Sequence, residues 1–252
     1  MRLEVPSTSK ESHASRLLEA ALELAFPTRC VGCDRPGTLL CDDCREGLAW
    51  IAQRWACPVC GAPYGWLVCT ECGRDDPWEM RATTSALVFE GAARATVTLL
   101  KDAHELRLAP VMAAAIACAL DEASAWPARD GAARHSDVDV DAICFVPATP
   151  AAYARRGFDH MELVSRELST LVSIPLADVL ARVDASDQRT LGRQGRADNA
   201  RGTFRVVDDV GGMDLLLVDD VVTTGASMRE AARTLLGRGA SSVSAASFAR
   251  VW

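Results

Sequence analysis

Leu215-Leu216-Leu217-Val218-Asp219-Asp220-Val221-Val222-Thr223-Thr224-Gly225-Ala226-Ser227 sets two carboxylates and three hydroxyls between an apolar run and a helix start rich in small residues. The four apolar residues read as a buried strand, and a helix is expected from near Ala226. A turn between a strand's carboxyl end and a helix's amino end exposes unpaired backbone N–H groups around a small concavity. That concavity suits a phosphate, and Thr223, Thr224 and Ser227 add hydroxyl donors. The paired acids at the strand's end have no basic neighbour in sequence. They can accept hydrogen bonds from sugar hydroxyls or hold magnesium through water. The segment lacks the lysine of a P-loop and the spaced glycines of a dinucleotide fingerprint.

A second chemistry lies near the amino terminus. Eight of the ten cysteines form Cys-x-x-Cys pairs: Cys30/Cys33, Cys41/Cys44, Cys57/Cys60 and Cys69/Cys72. Two such knuckles complete a tetrahedral zinc shell, and a shell of four thiolates leaves no open position for water, so its role would be structural. The intervening loops are seven and eight residues long, which suggests two successive units. Interleaved pairing stays open, because the difference in loop entropy is small. An iron–sulfur cluster and a redox dithiol are the alternatives, disfavoured by four regular pairs accompanied by Gly32, Gly61 and Gly73. Few apolar side chains lie between residues 27 and 76, so metal would supply the folding energy there. Trp50, Trp55, Tyr64, Trp66 and Trp78 offer either stacking surfaces for nucleic acid or a cover that docks the module. Asp42, Asp43, Glu46, Asp75 and Asp76 favour the cover.

The elements that must position these groups follow from periodicity. Leu17, Leu18, Ala21, Leu22 and Phe26 recur at helical spacing. From Thr83 onward, strands and helices alternate. Expected strands are Ser85 to Phe89, Ala142 to Val146, Leu176 to Leu180, Phe204 to Val207, Leu215 to Val218 and Val243 to Phe248. Expected helices are Ala92 to Asp102, Leu108 to Leu120, Phe158 to Val172 and Ala226 to Leu236. Pro127 to Asp141 reads as a surface connection and Pro147 to Gly157 as a loop carrying Arg155 and Arg156. Residues 181 to 203 read as a locally positive, mobile stretch with Arg182, Arg189, Arg193, Arg196 and Arg201. Cys118 and Cys144 read as packed thiols. The alternation predicts an α/β fold with a mostly parallel central sheet, with ligands beyond the strands' carboxyl ends where the 147–157 and 219–227 loops meet.

With 252 residues there is room for one medium domain plus a small module. We expect a helical extension over 1–26, a double zinc-ribbon-like module over 27–78 and the α/β domain over 79–252. The net charge of -7 opposes bulk attraction to nucleic acid or anionic membrane. No apolar stretch is long enough for a bilayer, and Glu11, Glu19 and Glu23 interrupt any export signal, so no membrane insertion and a cytoplasmic location are expected. In a reducing compartment so many cysteines call for metal rather than disulfides.

Taken in order, these motifs resemble the ComF family of phosphoribosyltransferase-like proteins linked to bacterial DNA uptake, and the 215–227 segment resembles the phosphoribosyl pyrophosphate signature of type I phosphoribosyltransferases. The likeness runs from Phe26 through the cysteine module and Phe89-Glu90-Gly91 to Lys101. It continues through Val146-Pro147, Arg155-Arg156-Gly157-Phe158-Asp159 and the string Gln188, Arg196, Asn199, Gly202-Thr203-Phe204. His160 stands where the family often has glutamine or asparagine, and Ser227 where it often has threonine. The resemblance implies a type I phosphoribosyltransferase-like fold. It implies that Asp219 and Asp220 contact ribose hydroxyls, that Val221 to Ser227 wrap the 5′-phosphate, and that the Pro147 to Gly157 loop holds pyrophosphate with bridging magnesium.

Arg155 and Arg156 are then the first choices for pyrophosphate contact, because a guanidinium offers paired donors. Arg182, Arg189, Arg193 and Arg196 come second and Lys101 third; a solvated loop is the plain alternative for each. Three functions compete. One is a magnesium-dependent phosphoribosyltransferase using phosphoribosyl pyrophosphate or a related phosphosugar. The second is an accessory protein that handles single-stranded DNA and keeps the pocket for binding. The third is an adaptor whose zinc knuckles dock a competence helicase or channel.

Overall fold

The computed structural model describes residues 27–72, 78–183 and 203–252. The helix expected before Pro27, and Gln188, Arg189, Arg193, Arg196, Asn199 and Arg201, lie outside them. The chain divides into two compact units, Met1–Gly47 and Leu48–Trp252.

In the first unit a tight turn carries Cys30 and Cys33. The Asp34 amide donates to the Cys30 carbonyl at 2.8 Å, and Asp34 itself takes a left-handed conformation. A five-residue helix, α1 (Asp42–Glu46), begins immediately after Cys41 and places Cys44 one turn on.

The second unit is built on four parallel strands in the order β1 (Thr83–Val88), β6 (Ser242–Arg250), β5 (Asp214–Val222), β2 (Ala142–Phe145). Their residues are almost all buried, as expected of a parallel sheet covered on both faces. Helices α2 (Gly91–Asp102), α3 (Ala109–Ser124), α4 (Pro150–Arg156), α5 (His160–Val172) and α6 (Ala226–Gly237) complete it with a short antiparallel pair, β3 (Leu180–Arg182) and β4 (Phe204–Val206). One face is covered by α3, packed on β1 and β6, and by α5, packed on β2 and β5. On the other face α6 buries Met228, Ala231, Ala232 and Leu235 against Leu215, Leu217, Val243 and Ala245.

Three expectations are corrected. The strand expected to stop at Val218 continues to Val222, because β6 stays in register with it as far as Arg250. The stretch read as a loop over 147–157 contains α4. Thr149 caps it by accepting from the Ala152 amide at 3.1 Å, Pro150 occupies its first turn, and Gly157 closes it in the left-handed region. The strand expected over 176–180 is only a bridge from Leu176 to Ile143, and regular pairing begins at Leu180.

Candidate functional site

The 219–228 segment forms a cradle. Asp219, Val221, Val222, Thr223, Thr224, Gly225, Ala226, Ser227 and Met228 line a concavity of about 80 Å³ at the carboxyl end of β5. Gly225 is the N-cap of α6, with φ of +74°, a conformation open to glycine at little cost. The first amides of α6 have no partner within the helix and carry the positive end of its dipole. Hydroxyls of Thr223, Thr224 and Ser227 stand beside them. A larger concavity of about 240 Å³, lined by Arg81, Asp139 and Asp214, lies at the amino ends of β5 and β6. Parallel sheets bind ligands at the opposite end, so the smaller cradle is the better site.

Because β5 runs on through both acids, strand alternation sends them to opposite faces. Asp219 follows Leu215 and Leu217 toward the α6 face and lines the cradle. Asp220 follows Leu216 and Val218 toward α5, where it is buried. There its Oδ2 takes a hydrogen bond from His160 Nε2 at 2.8 Å and an ion pair from Lys101 Nζ. Each carboxylate also accepts the amide of the next residue, Asp220 N–H to Asp219 at 2.9 Å and Val221 N–H to Asp220 at 2.6 Å. Electrostatics separates them further. Burial, then the neighbouring charge of Asp220, pushes the Asp219 carboxyl well above the ordinary carboxylate range. Burial acts in the same sense on Asp220, but the His160 hydrogen bond and the charge of Lys101 outweigh it and hold this carboxyl below that range. The basic neighbours missing from the sequence around the acids are thus supplied by α2 and α5.

The arginines divide likewise. Arg156 is nearly covered; its Nη1 stands 3.5 Å from His160 Nδ1, and its carbonyl oxygen lies 3.1 Å from His104 Nε2. Arg155 is exposed, with Asp102 at 3.9 Å. Arg182 donates Nε to the Pro147 carbonyl at 2.7 Å and lies over the Phe204 ring. It also adds positive potential at Asp219.

Sequence reasoning gave Asp159 no role of its own, and it read Trp78 as stacking surface or cover without placing it at Gly225. Asp159 caps α5 through Met161 N–H at 2.9 Å and holds the post-β2 segment through Ala148 N–H at 2.6 Å. The signal was an aspartate directly before a helix start. Trp78 packs against Gly225, and no local pattern could have revealed it.

The cysteines gather in sequence order: Cys30, Cys33, Cys41 and Cys44 in the first unit, and Cys57, Cys60, Cys69 and Cys72 in the second. The sulfurs of each set all lie within 4.8 Å of one another. Sulfur pairs sit at 3.6 Å for Cys33–Cys41 and Cys57–Cys72 and at 3.5 Å for Cys60–Cys69. Tetrahedral Zn–S bonds of about 2.3 Å would put sulfurs roughly 3.8 Å apart, so both sets fit the ion. Burial pushes the Cys30 thiol up, but the amides of Cys41, Gly32 and Cys33 outweigh it and bring it to about 6. The Cys60 hydrogen bond brings Cys57 to about 5. Their neighbours Cys44 and Cys72 are raised to about 12. Cys144 is buried as expected, whereas Cys118 is exposed rather than packed, because it faces outward from α3.

Residues 151–251 match the model of a phosphoribosyl transferase domain, and residues 21–82 that of a double zinc ribbon domain. The chain is 30% identical over 233 residues to the DNA utilization protein YhgH of Salmonella typhi, covering 87% of this chain and 96% of that one. It is 31% identical over 112 residues to competence protein F of Haemophilus influenzae, covering 42% and 49%. Over 38 residues it is 58% identical to ribose-phosphate pyrophosphokinase 2 of Archaeoglobus fulgidus, covering 15% and 14%. Among the described residues no helix is long and apolar enough to cross a membrane.

Proposed function

This chain belongs to the ComF/YhgH family, and from that premise we propose that it binds phosphoribosyl pyrophosphate with magnesium and transfers the phosphoribosyl group to an acceptor. The observation that carries this reading is the cradle: the first-turn amides of α6, of which Ala226 N–H leans on Thr224 Oγ1 at 3.4 Å, three hydroxyls and one inward-facing carboxylate at the carboxyl end of a parallel strand. The amides of the 223–228 turn hold the 5′-phosphate, while Asp219, ionised on ligand binding, accepts from the ribose hydroxyls. Arg155 and Arg156 are assigned to the leaving pyrophosphate by the resemblance, and Arg182 adds positive potential at Asp219. Lys101 and His160 act through Asp220: they keep it ionised and fix the strand end from which Asp219 projects.

A carboxylate facing a water-sized polar cavity suits a hard cation bound through water, so Asp219 is the residue to hold magnesium. The ion supplies neutralisation of pyrophosphate charge when bound. Zinc in the two cysteine sets is structural in this reading. The test is calorimetry of the full chain with phosphoribosyl pyrophosphate and magnesium. Absence of binding heat, with no effect of D219N, would reject the proposal. A screen of acceptors against labelled phosphoribosyl pyrophosphate identifies the second substrate.

A second reading has its own observation. Trp50, Trp55, Tyr64 and Trp66 are exposed, and the Arg54 guanidinium lies 4.7 Å from the Trp55 ring. With relatives named for DNA utilization and competence, these exposed rings support handling of single-stranded DNA in cytoplasmic DNA uptake beside a helicase or channel. Binding should then weaken steeply with salt; no binding at low salt removes the reading.

A further inference from the structure

The second cysteine set and the cradle meet at one ring. Trp78 packs both on the buried cluster of Cys57, Val59, Cys60 and Ala62 and on the core behind the cradle. Its indole is so near Gly225 that a Cβ added there would stand 2.3 Å from Cη2. The N-cap of α6 therefore rests directly on this side chain. Arg229, in the first turn of α6, holds its guanidinium 5.5 Å from the ring.

Behind Trp78 stands Arg250, the last residue of β6 and only 1% exposed. Its Nη1 donates to the Cys60 carbonyl at 2.7 Å, and its guanidinium lies 5.9 Å from the Trp78 ring. Among the described residues its carboxylate partner is the partly exposed Glu71, 3.7 Å away. A guanidinium this deeply buried needs facing negative charge. Four thiolates around a divalent ion leave a net charge of about −2, and Cys57 and Cys60 bring that charge to this spot. The contacts form a continuous run from the second cysteine set through Arg250 and Trp78 to Gly225.

We infer that Trp78 and Arg250 are positioning residues of the cradle, seated by a metal ion at Cys57, Cys60, Cys69 and Cys72. Loading of that set and filling of the cradle by an anion then stabilise each other, since coupling between two sites is reciprocal. The inference rests on the phosphate-binding reading of the cradle, but its structural core does not depend on which phosphate ester binds.

Hydrogen exchange of the zinc-loaded full chain, with no ligand added, tests it. W78L should speed exchange of the Arg229–Ala232 amides, the first that α6 protects and which close on Gly225 and the turn after it, about tenfold while Leu215–Val218 stay protected and zinc content is kept, and W78F should recover most of the protection. Wild-type exchange at Arg229–Ala232 in W78L would overturn the inference, whether or not phosphoribosyl pyrophosphate binds in a separate titration. C69S/C72S should reproduce the W78L pattern, and unchanged exchange of these amides in that variant would also overturn it. If C69S/C72S does not fold, the reciprocal measurement decides the metal half. W78L should then surrender zinc to a chelator faster than wild type, and an equal rate would contradict the coupling.

Discussion

Asp219 and Asp220 are covalent neighbours that face opposite sides of the sheet, one toward the cradle and the other into a buried pairing with His160 and Lys101. The proposed function rests on that geometry, giving Asp219 to the ligand and Asp220 to the scaffold.

Substitutions at the two acids should therefore move stability in opposite directions. D220N leaves Lys101 and His160 without their anion and should cost roughly 3 kcal/mol, the usual scale for breaking a buried pair from one side. D219N removes a carboxylate whose ionisation the fold opposes. It should raise stability by about 1 kcal/mol or more while weakening phosphoribosyl pyrophosphate binding. Urea unfolding at neutral pH, read beside calorimetry, checks both signs.

The same pair sets a pH profile. Asp219, with its carboxyl raised, contributes stability that is complete below the unfolded value of about 3.9 and is lost as pH rises through its folded pKa. Asp220, with its carboxyl lowered, contributes stability present above that unfolded value and lost as pH falls through its folded pKa. Unfolding of wild type, D219N and D220N from about pH 1 to pH 8 separates them. D219N should lose the decline on the alkaline side, and D220N the decline on the acid side.

How much of this could be read from residues alone depends on which forces acted locally. The turn after β5 was legible because Thr223-Thr224-Gly225 and the small residues after it encode a strand–turn–helix by themselves. The split of the acids was not, because Asp is a poor strand former and the reading ended β5 at Val218. Pairing with β6 up to Arg250, a contact distant in sequence, carries the strand on to Val222. Helix α4 was missed for a different reason. A proline such as Pro150 argues for a loop, yet in a first turn capped by Thr149 its missing N–H costs nothing. The cysteine spacing proposed two successive sets, and the structure groups the sulfurs in that order. The seat of Gly225 on Trp78 was invisible, since nothing in either segment points to the other.

Gly225→Ala should be damaging beyond its size. The new Cβ meets the Trp78 ring at 2.3 Å, and the backbone there has φ of +74°. We expect a loss of about 1–3 kcal/mol in unfolding free energy and a loss of ligand binding. Thermal melts and calorimetry on the one variant test this.

Zinc binding should release protons. In the metal-free sets Cys44 and Cys72 are raised to about 12 and Cys33 and Cys60 are raised as well, so at least two thiols of each set carry protons at neutral pH. Loading either site must displace them, and affinity falls as pH falls. Titration in buffers of different ionisation enthalpy measures the release. In the loaded protein Cys118, exposed on α3, should alkylate readily, while Cys144, buried and raised to about 12, should resist.

Titrating the zinc-loaded full chain and its D219N variant with phosphoribosyl pyrophosphate, with and without magnesium, tests the central claim most directly. Saturable, magnesium-dependent binding that D219N weakens at least about tenfold is the predicted result. Binding that ignores both magnesium and Asp219, or no binding by a folded wild-type protein, would contradict it.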